Sequence, residues 1–392
     1  MAAPTHLEEP RKFDFIDALR GLAILAVILV HAQDTVAAGS LWLQLLMSAG
    51  ARGVQLFYIA SALTLCSSWD FRATRERRPV RNFYLRRLFR ITPMFHLAIA
   101  GYLLLYGLSP RYYAPNGVPW YYVPLTALFL NGFHPETITS VVPGGWSIAV
   151  EMTFYLAFPF LIRWSRTIGS LTLLLGASLI LAWIAARLAY AVYGQRYPPE
   201  QLYLVDALST LNFLSQLPVF IFGIMVFWVL RHREAWRFGL ISGAVALTGW
   251  IVASAAFGDM PLQDVLKLPV AMGAAFALLT LLLERWPFGV LVNPVTILIG
   301  KLSFSMYLTH FAIIDFFRVT GISARFGRGD GPALLHYLLV VVATAGVSWI
   351  CYRAIERPGI AAGRRLIERL EEQGRGTIDL EHHDHQAQRR SP

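Results

Sequence analysis

The sequence predicts an all-α fold: a polytopic integral membrane bundle of about ten transmembrane helices with one short re-entrant or partial segment. Three observations carry that expectation. The 392 residues are 56% hydrophobic and only 15% charged, with a mean hydropathy of +0.51. Soluble domains carry roughly a quarter charged residues, and a soluble chain this apolar would expose patches it could not hide. Apolar runs long enough to cross a bilayer as helices recur along the chain. Basic residues gather in alternate short connections, the pattern that orients a membrane protein.

Taken in order, residues 1–12 read as a short cytosolic N-terminus. Arg11 and Lys12 precede an apolar stretch, as in a signal peptide, but Asp17 and Arg20 interrupt it and further spans follow, so the first span is expected to stay uncleaved. Spans are expected near residues 14–33, 51–69, 91–108, 146–163, 168–193, 208–230, 238–257, 265–284, 294–317 and 333–354. The stretch 121–133 is too short to cross and reads as the partial segment. With ten spans and a cytosolic N-terminus, the basic stretch 71–90, the Arg163/Arg166 turn, the Arg231/Arg233/Arg237 turn and the basic residues of 353–369 all fall inside. Counting 121–133 as a full span would put three basic clusters outside. The membrane domain thus covers 13–358, and 359–392 is a polar cytosolic tail, expected to be disordered from about 374.

The net charge of +10 does not point to nucleic acid, because the cations lie in the connections between apolar runs. Cys66 and Cys351 are the only cysteines, and neither a disulfide framework nor a zinc site follows from them. His382, His383 and His385 fit a solvated tail better than a metal site.

Four groups of residues carry candidate chemistry. Arg20 and His31 bracket an apolar run in the first span. Eleven residues turn a helix through roughly 1100° and advance it by about 16 Å, so the two share a face about half a bilayer apart. Arg20 snorkelling to headgroups and His31 capping a buried hydrogen bond is the structural alternative. On the functional reading, His31 lies in the outer half of the membrane and removes a proton from an attacking hydroxyl. The 71–90 run holds eight arginines against Glu76. It serves topology and anionic lipids, or else Arg86, Arg87 and Arg90 share a helix face as a phosphate clamp. In Gly144-Gly145-Trp146-Ser147-Ile148-Ala149-Val150-Glu151, the carboxylate lies little more than a turn into its span. Glu151 is therefore expected at the depth of His31, as its orienting partner, or else at the wet interface. Tyr307 and His310, one turn apart in the ninth span, serve either an interhelical hydrogen bond or substrate binding.

These residues show a resemblance. Arg20-x10-His31, the 53–65 stretch, Arg87-x-x-Arg90 with Ile91-Thr92-Pro93, the block from Trp146 and Ser147 to Glu151 with Phe154-Tyr155, 303–310, and the closing Ile355-Glu356-Arg357-Pro358 follow one another as in the membrane-bound acyltransferase-3 family. The chain resembles that family over about 13–358. The resemblance implies ten spans and a bacterial inner-membrane location with both termini cytosolic. It implies an acyl-CoA donor used as substrate, with no permanently bound cofactor, and an acyl group, acetyl by default, delivered to a hydroxyl of a carbohydrate-containing acceptor. Exopolysaccharide, lipopolysaccharide O-antigen and lipo-oligosaccharide are acceptors of that class, with polysaccharide-assembly proteins as partners. His31 is implied as the catalytic histidine, with Arg20, Arg87 and Arg90 in the functional set. Gln55 stands where the family often has an acid, and Ser61-Ala62 where it often has Ser-Gly, which weakens any role for the second span. Many relatives carry an esterase-like domain after the last span. Here a short polar tail follows, so the membrane domain or a partner is expected to complete the transfer.

Joined together, coenzyme A phosphates dock on Arg86, Arg87 and Arg90, the pantetheine arm passes Arg20, and His31, oriented by Glu151, activates the acceptor. A proton-coupled exporter of an amphipathic solute is the alternative of a different class, since intramembrane ionisable residues also mark proton pathways. Matching Gly/Pro-interrupted helices in two halves, common in transporters, are not evident.

Overall fold

The computed structural model describes residues 14–232 and 269–388. Its helices are α1 (Asp14–Gln33), α2 (Leu41–Ala49), α3 (Gly53–Arg72), α4 (Pro79–Tyr106), α5 (Tyr122–Ala127), α6 (Gly145–Trp164), α7 (Ile168–Tyr193), α8 (Tyr203–Leu211), α9 (Phe213–Arg231), α10 (Pro269–Arg285), α11 (Pro294–Val319), α12 (Asp330–Cys351) and α13 (Arg357–Gln388). A π turn, Tyr352–Glu356, joins the last two. Among the described residues there is no strand beyond one isolated bridge, Arg111 with Ala114.

Seven stretches of the described residues are long and apolar enough to cross a membrane: α1, α4, α6, α7, Pro199–Arg231 containing α8 and α9, α11, and Asp330–Gln373 opening with α12. Ten were expected, and the shortfall has identifiable sources. The span at 238–257 lies outside the described residues, and the one at 265–284 lies partly outside. Helix α3 is 20 residues long but more polar, because Gln55 and Ser61 are buried against other helices and do not face lipid. The stretch 121–133 holds only α5 and a single 3-10 turn.

Other boundaries differ for local reasons. Helix α4 starts at Pro79, well before the expected 91, with proline in the first turn, where its missing N–H costs nothing. The expected 208–230 span is two helices, because the Asn212 side chain accepts from Ser215 N at 3.1 Å and caps a new start. Helix α2 was not expected. It turns Leu43 and Met47 inward and leaves Leu41, Trp42, Leu45 and Leu46 exposed. Helix α13 runs to Gln388, through the tail read as disordered from about 374.

Helix α1 is the centre of the bundle. Lipid supplies no hydrophobic drive between helices, so they associate by close packing, which small residues permit. Gly21 of α1 and Gly300 of α11 let the two backbones meet. A Cβ at Gly300 would strike the Asp17 carbonyl, and one at Gly21 the Thr296 carbonyl. Gly50 and Gly53 bring the start of α3 equally close to Ala26 and Ala23 of α1. Helix α7 is peripheral: Leu171, Ser178, Ala182, Ala186 and Ala189 face inward, while Leu173, Ile180 and Leu188 are exposed.

Gly300→Ala forces this crossing apart and is expected to destabilise the chain by about 1–3 kcal/mol. Thermal unfolding of the detergent-purified protein checks it. Gly101→Ala, whose Cβ would meet nothing within 4 Å, is the control expected to be neutral or stabilising.

Candidate active site

Five helices enclose a cavity inside the bundle. Helix α1 contributes Arg20, α3 Tyr58 and Ser61, α4 Arg90, α6 Ser147, Glu151 and Tyr155, and α11 Ser303 and Tyr307. At the α1–α11 crossing, Arg20 adjoins Gly21 and Ser303 lies one turn beyond Gly300, and both line the cavity.

The cations are held differently from one another. Arg20 donates from Nη2 to Thr64 Oγ1 at 3.2 Å and stands 3.9 Å from Asp17. Arg87 is 9% exposed, its guanidinium 5.7 Å from the Tyr155 ring centroid and 5.9 Å from that of Phe83. Arg90 stands within electrostatic reach of Glu356, Tyr155, Glu151 and Asp17. Among the described residues, neither Arg87 nor Arg90 makes a hydrogen bond or a direct ion pair.

Arg86 departs from the expected clamp. Its guanidinium forms a fork with Glu76 at 2.7 and 3.1 Å. Adjacent residues on a helix point about 100° apart, so Arg86 and Arg87 cannot both face one ligand, and the fixed carboxylate captures Arg86. Arg87 and Arg90, three apart, remain together beside Tyr155.

Glu151 also departs from expectation. Its Oε1 accepts from Ser61 Oγ at 2.6 Å and Tyr155 OH at 2.5 Å, and it lies within electrostatic reach of Arg20, not beside His31. Six residues into α6 is about 9 Å from that helix's start, whereas His31 is two residues, or about 3 Å, from the end of α1, and the carboxylate therefore sits deeper. Ser61, whose neighbourhood seemed to weaken a role for the second span, is one of the two groups holding it.

His31 finds other neighbours. Its Nδ1 is 3.7 Å from Asp34 Oδ2, and its ring centroid is 5.4 Å from that of His310 and 4.4 Å from that of Phe311. The side chain is 32% exposed. His310 is fully buried, with Nδ1 3.2 Å from the Met306 carbonyl. A carbonyl only accepts, so Nδ1 carries the proton and Nε2 is a free acceptor with no partner. The His310 ring lies 5.7 Å from that of Tyr307, which links the histidine pair to the cavity wall.

Tyr307 is fixed in turn. Its hydroxyl donates to the Gly144 carbonyl at 3.0 Å and accepts from Ser147 Oγ at 2.7 Å. Gly144 has φ +73°, and a Cβ there would meet the Tyr307 hydroxyl at 2.9 Å, so both backbone and space require glycine. Trp146 is not among the lining residues; it packs edge-on to Tyr58, ring centroids 6.4 Å apart.

Glu356 escaped the sequence reading as a functional residue. It is 2% exposed and its Oε2 accepts from Ser305 Oγ at 2.9 Å. The carboxylate belongs to the π turn, a distortion that no residue pattern in 352–356 announces. Such turns recur at functional sites. Arg20, Arg90 and Glu151 thus line the cavity, with Asp17 and Glu356 within electrostatic reach of Arg90. Guanidiniums without direct partners suit a phosphate, while the hydroxyls of Tyr58, Ser147, Ser303 and Tyr307 suit a neutral polar group.

An O-acetyltransferase OatA of Staphylococcus aureus strain NCTC 8325 is 23% identical over 392 residues, covering 89% of this chain and 57% of that protein. A protein of S. aureus strain COL, provisionally named an O-acetyltransferase, is 23% identical over 418 residues, covering 90% of this chain and 58% of its own length. The chain therefore spans somewhat less than three-fifths of the length of these relatives. No solved structure matches it. Residues 13–353, nearly the whole described bundle, match the pattern of the acyltransferase-3 family, described as an acyltransferase domain, and the chain belongs to that family.

Proposed function

We propose that this protein is a membrane O-acyltransferase that takes an acyl group, acetyl by default, from acyl-CoA and delivers it to a hydroxyl of a carbohydrate-containing acceptor. The observation that carries the donor reading is the pair Arg87 and Arg90, drawn into the bundle without a direct ion pair beside a cavity. Buried cations without partners are costly, and a phosphorylated ligand relieves that cost. The basic end of the bundle would face the cytosol by the positive-inside rule, placing the protein in a bacterial inner membrane with both termini inside.

The donor's phosphates meet Arg87 and Arg90, and its acyl end passes Arg20 toward Tyr307. On the far side of Tyr307 and His310, His31 takes the proton of the acceptor hydroxyl. The hydroxyl oxygen attacks the thioester carbonyl, the carbon–sulfur bond breaks, and coenzyme A leaves as a thiolate that recovers the proton from the imidazolium. Asp34, one helical turn from His31, supports the protonated ring in the place expected of Glu151.

His31→Ala is expected to lower transfer about 10²- to 10⁴-fold while sparing donor affinity. Arg87→Ala is expected to weaken donor binding about 10- to 100-fold, the loss of a charge-assisted hydrogen bond to phosphate. Mass spectrometry of surface glycans and glycolipids tests the acceptor side, using cells deleted for the gene and complemented with wild type or equally expressed His31→Ala. An acyl group lost on deletion and restored only by wild type is the expected result. Full restoration by the variant would remove His31 from the mechanism.

A further inference from the structure

Along α6, Tyr155, Glu151 and Ser147 succeed one another at four-residue intervals, each about 6 Å further on. Tyr155 lies against Arg87, and Ser147 holds Tyr307. Glu151 therefore stands midway between the arginines and the tyrosine at the far wall of the cavity. Ser61 and Tyr155 both direct their protons at Oε1, so Oε2 keeps no hydrogen bond, and Glu151 is one of the residues that line the cavity.

We propose that Glu151 is the seat of the donor's pantetheine arm, its Oε2 accepting a hydrogen bond from an amide N–H of that arm, and that it thereby sets how far the donor enters. The proposal rests on acyl-CoA being the donor. A carboxylate is an acceptor without a proton of its own to give, and it repels phosphate at short range in a low-dielectric interior. Phosphates therefore stop at Arg87 and Arg90. Past the diphosphate, the donor offers neutral groups, a hydroxyl and two amide N–H groups, before the thioester. An N–H donor is what the free Glu151 oxygen lacks. With the amide held there, the thioester projects toward Ser147 and Tyr307, the wall that leads to His310 and His31. This gives the carboxylate a function where it stands, away from the histidine.

The test compares two probes, coenzyme A and adenosine 3′,5′-diphosphate, whose affinities for the full chain in lipid nanodiscs are measured by calorimetry. Glu151→Gln is expected to weaken coenzyme A about tenfold, the scale of one hydrogen bond to a charged group, and to leave the nucleotide within about twofold. Arg87→Ala is expected to weaken both. Ser61→Ala, a milder change that frees the carboxylate on one side, is expected to shift the coenzyme A to nucleotide ratio in the direction of Glu151→Gln, and it serves if the glutamine variant does not fold. Equal effects of Glu151→Gln on both probes, or none on coenzyme A, would overturn the proposal and leave Glu151 as a counter-ion of Arg20 and Arg90. A wild-type chain that binds neither probe would instead overturn the acyl-CoA donor itself.

Discussion

The structure depends on placing Arg20, Arg87 and Arg90 among Asp17, Glu151 and Glu356 inside an apolar bundle. Each ion taken singly into hydrocarbon costs several kcal/mol even after relaxation, so none of the six is tolerable alone. They come from α1, α4, α6 and the π turn after α12, so four separate segments must reach their native positions together before the charges are compensated. Arg20 has direct neighbours in Asp17 and Thr64, Glu151 has its two hydroxyl donors, and Arg90 stands within electrostatic reach of Glu356, Glu151 and Asp17, while Arg87 lies against the rings of Tyr155 and Phe83.

Close helix packing makes this placement feasible. Without Gly21 and Gly300, α1 and α11 would stand apart by the width of a side chain, and Ser303, Tyr307 and His310 would lie further from Arg20 and His31. The π turn acts in the same way at the other end, widening one helical turn so that Glu356 is buried against Ser305. At the same end, Glu371 of α13 accepts from Arg77 N at 3.0 Å and from Asn82 Nδ2 at 2.9 Å, tying the last helix to the start of α4. The segment that carries Arg86, Arg87 and Arg90 is therefore braced by Glu76 within its own loop and by α13 from outside.

Two polar regions result, joined through one aromatic wall. The charged cavity ends at Tyr307, whose hydroxyl is occupied by Gly144 and Ser147, and the histidine pair begins one turn further along α11. This division keeps the guanidiniums of the cavity away from the His31 imidazole. A base surrounded by guanidiniums would hold its proton less readily.

The sequence alone determined that this is a helical membrane protein of the acyltransferase-3 family and singled out Arg20, His31, Arg87, Arg90 and Glu151 as candidates, because apolar run length and ionisable residues within such runs are properties of a linear chain. It also placed the end of α1 and both ends of α7 where the structure has them. It could not tell which carboxylate meets which cation. Depth inferred from distance to a helix end put Glu151 beside His31, whereas the structure gives it to Ser61 of α3 and to Tyr155 one turn along its own helix. A shared face inferred from spacing grouped Arg86 with Arg87 and Arg90, until the loop carboxylate of Glu76 claimed it. Glu356 was legible only as part of a motif, since a π turn has no signature in residue spacing. The burial of Ser61 and Gln55 was hidden because a polar residue in an apolar run reads the same whether it faces lipid or a neighbour. Tertiary structure decided these points, for the energy of a buried charge is set by what crosses from other helices, and that is fixed only when the glycine-mediated crossings close.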